Sequence, residues 1–251
     1  MVSVELWWST PRAAENPELS DLLDARERAR RERFRFQDDR DRYTVAHSLA
    51  RLVVARFSGR APDTVEFSRY CANCASGQET PTGSREPHGK PYPLGAASGV
   101  ELSISHSGER VVVAAAREVP LGVDVERVSS ERDLAGLAGY ALTEAERHAL
   151  SGLPPDFRTE GFFTYWARKE ASLKATGEGL GGGLASVEVS GADAAAAVVS
   201  WTGPRPPRDV RLLDLDAGSG YRSALAALTP EPLHSVSYDA GSLLARGRRH
   251  G

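Results

Sequence analysis

Apolar and polar positions change period several times along this chain, and each change marks an element. Val2–Ser9 reads as a short strand, with Trp7 and Trp8 packing against or flanking it. From Glu18 to about Arg35 the pattern turns helical and heavily charged, with Leu19, Leu22, Leu23 and Phe34 as scattered apolar positions. A second helix is predicted over Asp38–Phe57, where Val45, Leu49, Leu52 and Val53 recur at helical spacing and Gly59 supplies a stop. Residues 71–99 are rich in Gly, Pro and Ser and read as loop. A hairpin follows: Glu101–Ser105 alternates, His106–Glu109 turns, and Arg110–Ala116 returns, with a further strand over Val119–Val125. Helices are then predicted over Thr143–Leu150 and Phe162–Ala175, followed by a Gly-rich loop at 177–183 and weaker strands. Each half thus offers a long helix followed by strands. The expectation is an α+β chain of two related halves, residues 1–117 and 118–244, with a basic, disordered tail at 245–251.

Composition narrows the class without naming a chemistry. The 251 residues are 41% hydrophobic and 26% charged, as in an ordinary globular protein, and permit one large domain or two small ones. A formal net charge of -3 gives no sign of a nucleic-acid partner. No apolar run approaches the roughly 20 residues that cross a bilayer. The N-terminus lacks the basic-then-apolar order of a secretory signal, so a cytoplasmic location is expected. Two cysteines are too few for a disulfide framework.

Candidate chemistry sits in three segments. In Gly122-Val123-Asp124-Val125-Glu126, strand alternation puts Asp124 and Glu126 on one face and the valines on the other. Two carboxylates that close resist joint ionisation unless a cation offsets them, and a hard cation such as magnesium would do so through oxygen ligands. Taken alone, the pair fits a solvated strand face better. The second segment, Phe162–Ala175, places Glu170 and Lys174 one helical turn apart. That spacing suits an ordinary surface ion pair, or a metal- or proton-handling acid beside a phosphate-binding lysine. The third, Leu102-Ser103-Ile104-Ser105-His106-Ser107-Gly108, sets hydroxyls and an imidazole at the mouth of a hairpin, a place suited to an anion. A Ser-His hydrolase is disfavoured, because Ser105 and His106 are adjacent and no nucleophile elbow is present. Gly177, Gly179 and Gly182 have dinucleotide-fingerprint spacing but follow a helix instead of a strand. Cys71, Cys74 and His88 could supply three zinc ligands with no evident fourth, so two reduced thiols in a loop is the preferred reading.

Taken in order, Gly89-Lys90-Pro91, LSISHSG, GVDVE and YWARKEASLKATGEGL resemble the Sfp-type 4'-phosphopantetheinyl transferases over about residues 28–184. The resemblance implies two pseudo-symmetric α/β halves in a single chain with the active site in the cleft between them. It also implies a monomer whose donor is coenzyme A and whose acceptor is an apo acyl or peptidyl carrier protein of fatty-acid, polyketide or nonribosomal-peptide assembly. By motif, Asp124, Glu126 and Glu170 would bind Mg2+ (or Mn2+) with the pyrophosphate, and Lys174 would contact phosphate. Ser105, His106 and Lys90 would line the coenzyme A cleft. Arg30 and Arg42, with Arg31 as an alternate, would meet the 3'-phosphate and adenine, as arginine forks grip phosphate well. Glu146 would hold a metal-bound water, and it or Glu170 would take the acceptor serine's proton. On this reading residues 1–117 supply nucleotide contacts, 118–244 the metal and catalytic acids, and the products are holo carrier and adenosine 3',5'-bisphosphate. Two other functions remain compatible: another magnesium-dependent enzyme cleaving a pyrophosphate such as that of coenzyme A, and a non-catalytic carrier-binding relative.

Overall fold

The computed structural model describes residues 1–70, 89–131, 133–177, 183–202 and 205–245. Cys71, Cys74, His88, Gly179, Gly182 and the tail beyond Ala245 lie outside them. β1 (Val2–Ser9) opens the chain, followed by α1 (Glu18–Asp21), α2 (Ala25–Arg31) and α3 (Gln37–Ser58). The charged stretch expected as one helix is therefore interrupted, and Asp24 is the reason. Its backbone is extended, and its side chain accepts from the Glu27 N–H while the Glu27 carboxylate accepts from the Asp24 N–H. This reciprocal cap restarts the helix and is worth about 1 kcal/mol.

A strand pair, β2 (Phe67–Tyr70) with β3 (Lys90–Pro93), replaces part of the expected loop. The hairpin β4 (Val100–Ser107) and β5 (Arg110–Arg117) is tighter than predicted. Gly108, at φ 54°, makes the turn with Glu109, so His106 and Ser107 belong to the ladder opposite Val111 and Arg110. β6 (Leu121–Arg127) follows, then α4 (Leu134–Ala141), which its composition did not announce, α5 (Glu144–Gly152) and α6 (Pro155–Thr176). The chain closes with β7 (Val187–Val189), β8 (Val198–Trp201), β9 (Arg211–Leu215), β10 (Tyr221–Ala227), β11 (Leu233–Asp239) and α7 (Gly241–Ala245). No helix among the described residues is long and apolar enough to cross a membrane.

Strand parity builds the layers. Val111, Val113 and Ala115 of β5 pack with α3, whereas Val112, Ala114 and Ala116 turn the other way. There they meet Val4 and Leu6 of β1, Leu121, Val123 and Val125 of β6, and Leu225 and Ala227 of β10. The alternate residues of β10, Ala224 and Ala226, pack with α6. Two sheets, β11-β1-β5-β4 and β6-β10-β9, are thus back to back, with one long helix on each outer face. Both helices run 22 residues and end at a glycine in the left-handed region, Gly59 at φ 69° and Gly177 at φ 75°. The first sheet takes its outermost strand from the far end of the chain: β11 pairs parallel with β1, from Val2↔Leu233 to Trp8↔Asp239. The expected boundary at 117/118 assigns that strand to the second half, whereas hydrogen bonding assigns it to the first.

Beneath α3 lies an ionic network that a sequence pattern reads as solvated. Arg51, 3% exposed, donates to Glu27, Asp24 and the Val65 carbonyl, and Glu27, 1% exposed, also pairs with Arg69 and His47. Burial alone would raise the Glu27 pKa, but His47 and Arg51 more than offset it and hold the acid at about 2 instead of 4.5. A depressed acid pKa stabilises the fold above the unfolded value and loses that contribution as pH falls through the folded value. Stability should therefore drop by about 3 kcal/mol between pH 4.5 and 2 from this group. Urea unfolding across that window should show the slope in the wild type and lack it in Glu27→Gln. Equal slopes in both would remove the network from the stability account.

Candidate active site

The seam between the two sheets carries the chemistry. β4 and β6 run side by side, yet serine hydroxyls join them in place of a backbone ladder. The Oγ atoms of Ser103, Ser105 and Ser107 accept from the N–H groups of Val123, Val125 and Arg127, at 3.0, 3.2 and 3.1 Å. With period-2 side chains, every second residue of β4 faces β6 at the same level.

On β6 the inward valines leave Gly122, Asp124 and Glu126 on the other face, where α6 crosses. Gly122 is the point of closest approach. A Cβ there would collide with the Ala171 carbonyl oxygen and come within 2.5 Å of the Ala175 nitrogen and 2.8 Å of the Lys174 Cβ. The missing side chain lets the helix sit on the strand and brings Lys174 over Asp124. Lys174 Nζ donates to Asp124 Oδ1 at 2.7 Å, Ser105 Oγ at 3.1 Å and the Val123 carbonyl at 3.2 Å. An ammonium has three donors, so all three are engaged. Burial pulls the Lys174 pKa down, but Asp124 and Glu170 outweigh it and the net shift is upward. Ser105 Oγ completes the group by donating to Asp124 Oδ1 at 2.9 Å.

Glu170, one turn before Lys174, is buried, and its pKa rises to about 7. Burial is the main cause, Lys174 opposes it, and the charges of Asp124 and Glu126 add to it. The structure therefore brings Asp124, Glu126, Glu170, Lys174 and Ser105 into one electrostatic group. Among the described residues no three of His, Cys, Asp and Glu converge closely enough to form a ready-made metal cage. The donor set nevertheless suits a hard cation. Three carboxylates face a single ammonium, and Asp124 Oδ2 is buried without a hydrogen-bond partner.

His106 follows Ser105 and so points to the opposite side, toward α3. Its ring is exposed at the surface, yet the pKa falls to about 4. Desolvation by the surrounding protein leads, and Lys174, His47 and Arg42 add to it. A neutral imidazole amid those cations marks an electropositive rim beside the acids. Arg42 is held there by the Gly108 carbonyl at 3.2 Å and by Asp39 at 2.6 Å. Arg30 is exposed at the end of α2, and Arg31 is tied to Thr44 and Glu32.

Two further expected site residues, Lys90 and Glu146, are held by partners outside the acidic group. The Lys90 ammonium is largely buried, donating to Glu101 at 3.2 Å and the Leu121 carbonyl at 2.9 Å, so it fastens β3 to β4 and β6. Glu146 caps α5, accepts from the Val189 N–H at 2.8 Å and pairs with buried Lys169 at 2.5 Å. Both its oxygens thus take part in hydrogen bonds or an ion pair within the second half. The cause is helical geometry. Arg168, Lys169 and Glu170 are consecutive and turn about 100° per residue. They therefore enter three networks: Arg168 with Asp214 and the 190–194 carbonyls, Lys169 with Glu146, and Glu170 with the acids of β6. Sequence reasoning missed the doubled role of the serines, for which their i, i+2 spacing was the available signal.

Comparison with known proteins shows the family. Residues 120–227, from β6 to β10, match the family model of the 4'-phosphopantetheinyl transferase superfamily. The chain is 32% identical over 179 residues to 4'-phosphopantetheinyl transferase HetI of Nostoc sp., covering 69% of this chain and 68% of that protein. It is 27% identical over 219 residues to a 4'-phosphopantetheinyl transferase of Bacillus subtilis, covering 87% and 88%. It is 25% identical over 231 residues to 4'-phosphopantetheinyl transferase Sfp of Bacillus subtilis strain 168, covering 90% and 92%. With likenesses of this extent, the chain belongs to the 4'-phosphopantetheinyl transferase superfamily.

Proposed function

We propose that this enzyme moves the 4'-phosphopantetheine arm of coenzyme A onto a serine of an apo carrier protein, acting as a cytoplasmic monomer with both halves of its site in one chain. The observation that carries the mechanism is Glu170, held near neutrality beside Asp124, Glu126 and Lys174. The serine oxygen attacks the phosphorus bearing the pantetheine arm. The bond from that phosphorus to the bridging pyrophosphate oxygen breaks, and adenosine 3',5'-bisphosphate leaves. Glu170 takes the serine proton, a task for which a pKa of about 7 is well matched.

Asp124, Glu126 and Glu170 would hold a magnesium ion, with Mn2+ as a substitute, and bound there it would supply charge neutralisation for the pyrophosphate. Lys174 contributes a fixed positive charge. Its three donors are already used, so it does not hand a proton to the leaving group from this position. Arg42 and His106 form the rim that would receive the nucleotide phosphates, with Arg30, exposed at the end of α2, as a further candidate.

The test is a mass gain of one phosphopantetheine on apo carrier mixed with coenzyme A and magnesium, run with fatty-acid, polyketide and peptide carriers. Glu170→Gln should cut that rate by about 100-fold or more, as loss of a general base does. Breakdown of coenzyme A without carrier labelling would favour the pyrophosphatase reading, and carrier binding without turnover the non-catalytic one.

A further inference from the structure

The seam serines do more than join two strands. Ser107 Oγ accepts from the Arg127 N–H at 3.1 Å and donates to Glu126 Oε2 at 3.1 Å. Ser105 does the same one step earlier, accepting from the Val125 N–H and donating to Asp124 Oδ1. In both cases the carboxylate belongs to the residue just before the N–H that the serine receives. Ser103 repeats the backbone contact, but the residue before Val123 is Gly122, which offers nothing to receive a proton. One strand of each half is therefore locked to the other by groups that also fix the direction of the acids.

We infer that Ser107 is a positioning residue for Glu126: anchored by the Arg127 N–H, its hydroxyl sets the carboxylate that helps hold the divalent cation. This rests on the reading of Asp124, Glu126 and Glu170 as the cation site. Outer hydrogen bonds to ligating carboxylates typically carry 10–100-fold in metal affinity. A hydroxyl has one proton to give, so Ser107 orients one oxygen of Glu126.

The experiment measures Mn2+ binding to the whole chain by the loss of its free-ion paramagnetic resonance signal, with and without coenzyme A. Ser107→Val and Ser107→Thr differ by one hydroxyl at nearly equal volume. Ser107→Val should weaken Mn2+ binding by about tenfold or more. Ser107→Thr should bind as the wild type does. Ser103→Ala, which cuts only the seam, should leave the affinity unchanged. Thermal midpoints of all three identify a variant that fails to fold, and the Thr substitution carries the comparison if the Val one does. Equal affinity in Ser107→Val and the wild type overturns the inference, as does equal weakening by Ser103→Ala. A wild-type chain that transfers the arm but leaves the Mn2+ signal undiminished, even with coenzyme A, overturns the cation reading itself.

Discussion

Asp124→Asn should lower transfer at least a thousandfold, about 4 kcal/mol in the barrier, with little change in the melting temperature. The substitution keeps the shape and the acceptor oxygen that Ser105 and Lys174 donate to. It removes the charge, and with it the buried Oδ2 that has no hydrogen-bond partner. Two further effects follow from the same electrostatics. Asp124 opposes ionisation of Glu170, so its neutralisation should bring the Glu170 pKa down from about 7 toward the ordinary carboxylate range. It also favours the charged form of Lys174, so the lysine pKa should fall. Titration of the Glu170 carboxyl by carbon NMR checks the first. Activity within tenfold of the wild type would remove Asp124 from the reacting group.

Gly122→Ala is the second large effect, and it acts through backbone. The added methyl would meet the Ala171 carbonyl and the Ala175 nitrogen, neither of which can swing away as a side-chain tip could. Overpacking of this kind costs about 3 kcal/mol, near the upper end of its usual range because backbone must move. For a chain of this size that lowers the melting temperature by roughly 6–12 °C. The helix must also lift from the strand, which carries Lys174 off Asp124, so activity should fall further than stability alone accounts for. Gly139→Ala is the control. Gly139 lies in α4 with nothing near the position of a new Cβ, and the substitution should be neutral or stabilising by up to about 1 kcal/mol. A Gly122→Ala chain that melts with the wild type would mean that α6 rests on β6 less closely than described.

How much of this was legible beforehand depended on the range of each interaction. The long helices and β6 are written in local periodicity, and so was the pairing of Asp124 with Glu126. Glu170 and Lys174 were found because four residues make one turn. What could not be read is the meeting of residues far apart in sequence. Glu27 lies in a segment dense with charge and Arg51 in an apolar stretch of helix, and nothing local says that the two meet. Lys90 carries the same ambiguity: only the placement of Glu101 and Leu121 around it reveals a fastening role. Glu146 shows the same limit. Its Thr143-x-x-Glu146 spacing is a capping box that a sequence can announce, but the Lys169 and Val189 partners that use up its oxygens are tertiary.

The strand order of the first sheet has a consequence for how the molecule comes into being. β1 is made well before its parallel neighbour β11, with 231 positions separating Val2 from Leu233. During synthesis one edge of that sheet stays open, its N–H and C=O groups unsatisfied, until β11 has emerged. Contacts of such long range form slowly, since closing the loop costs entropy before any bond rewards it. The first half therefore cannot finish folding ahead of the second. A chain cut at residue 117 should be sticky and poorly folded, since it loses both β11 and the second sheet that covers Val112, Ala114 and Ala116.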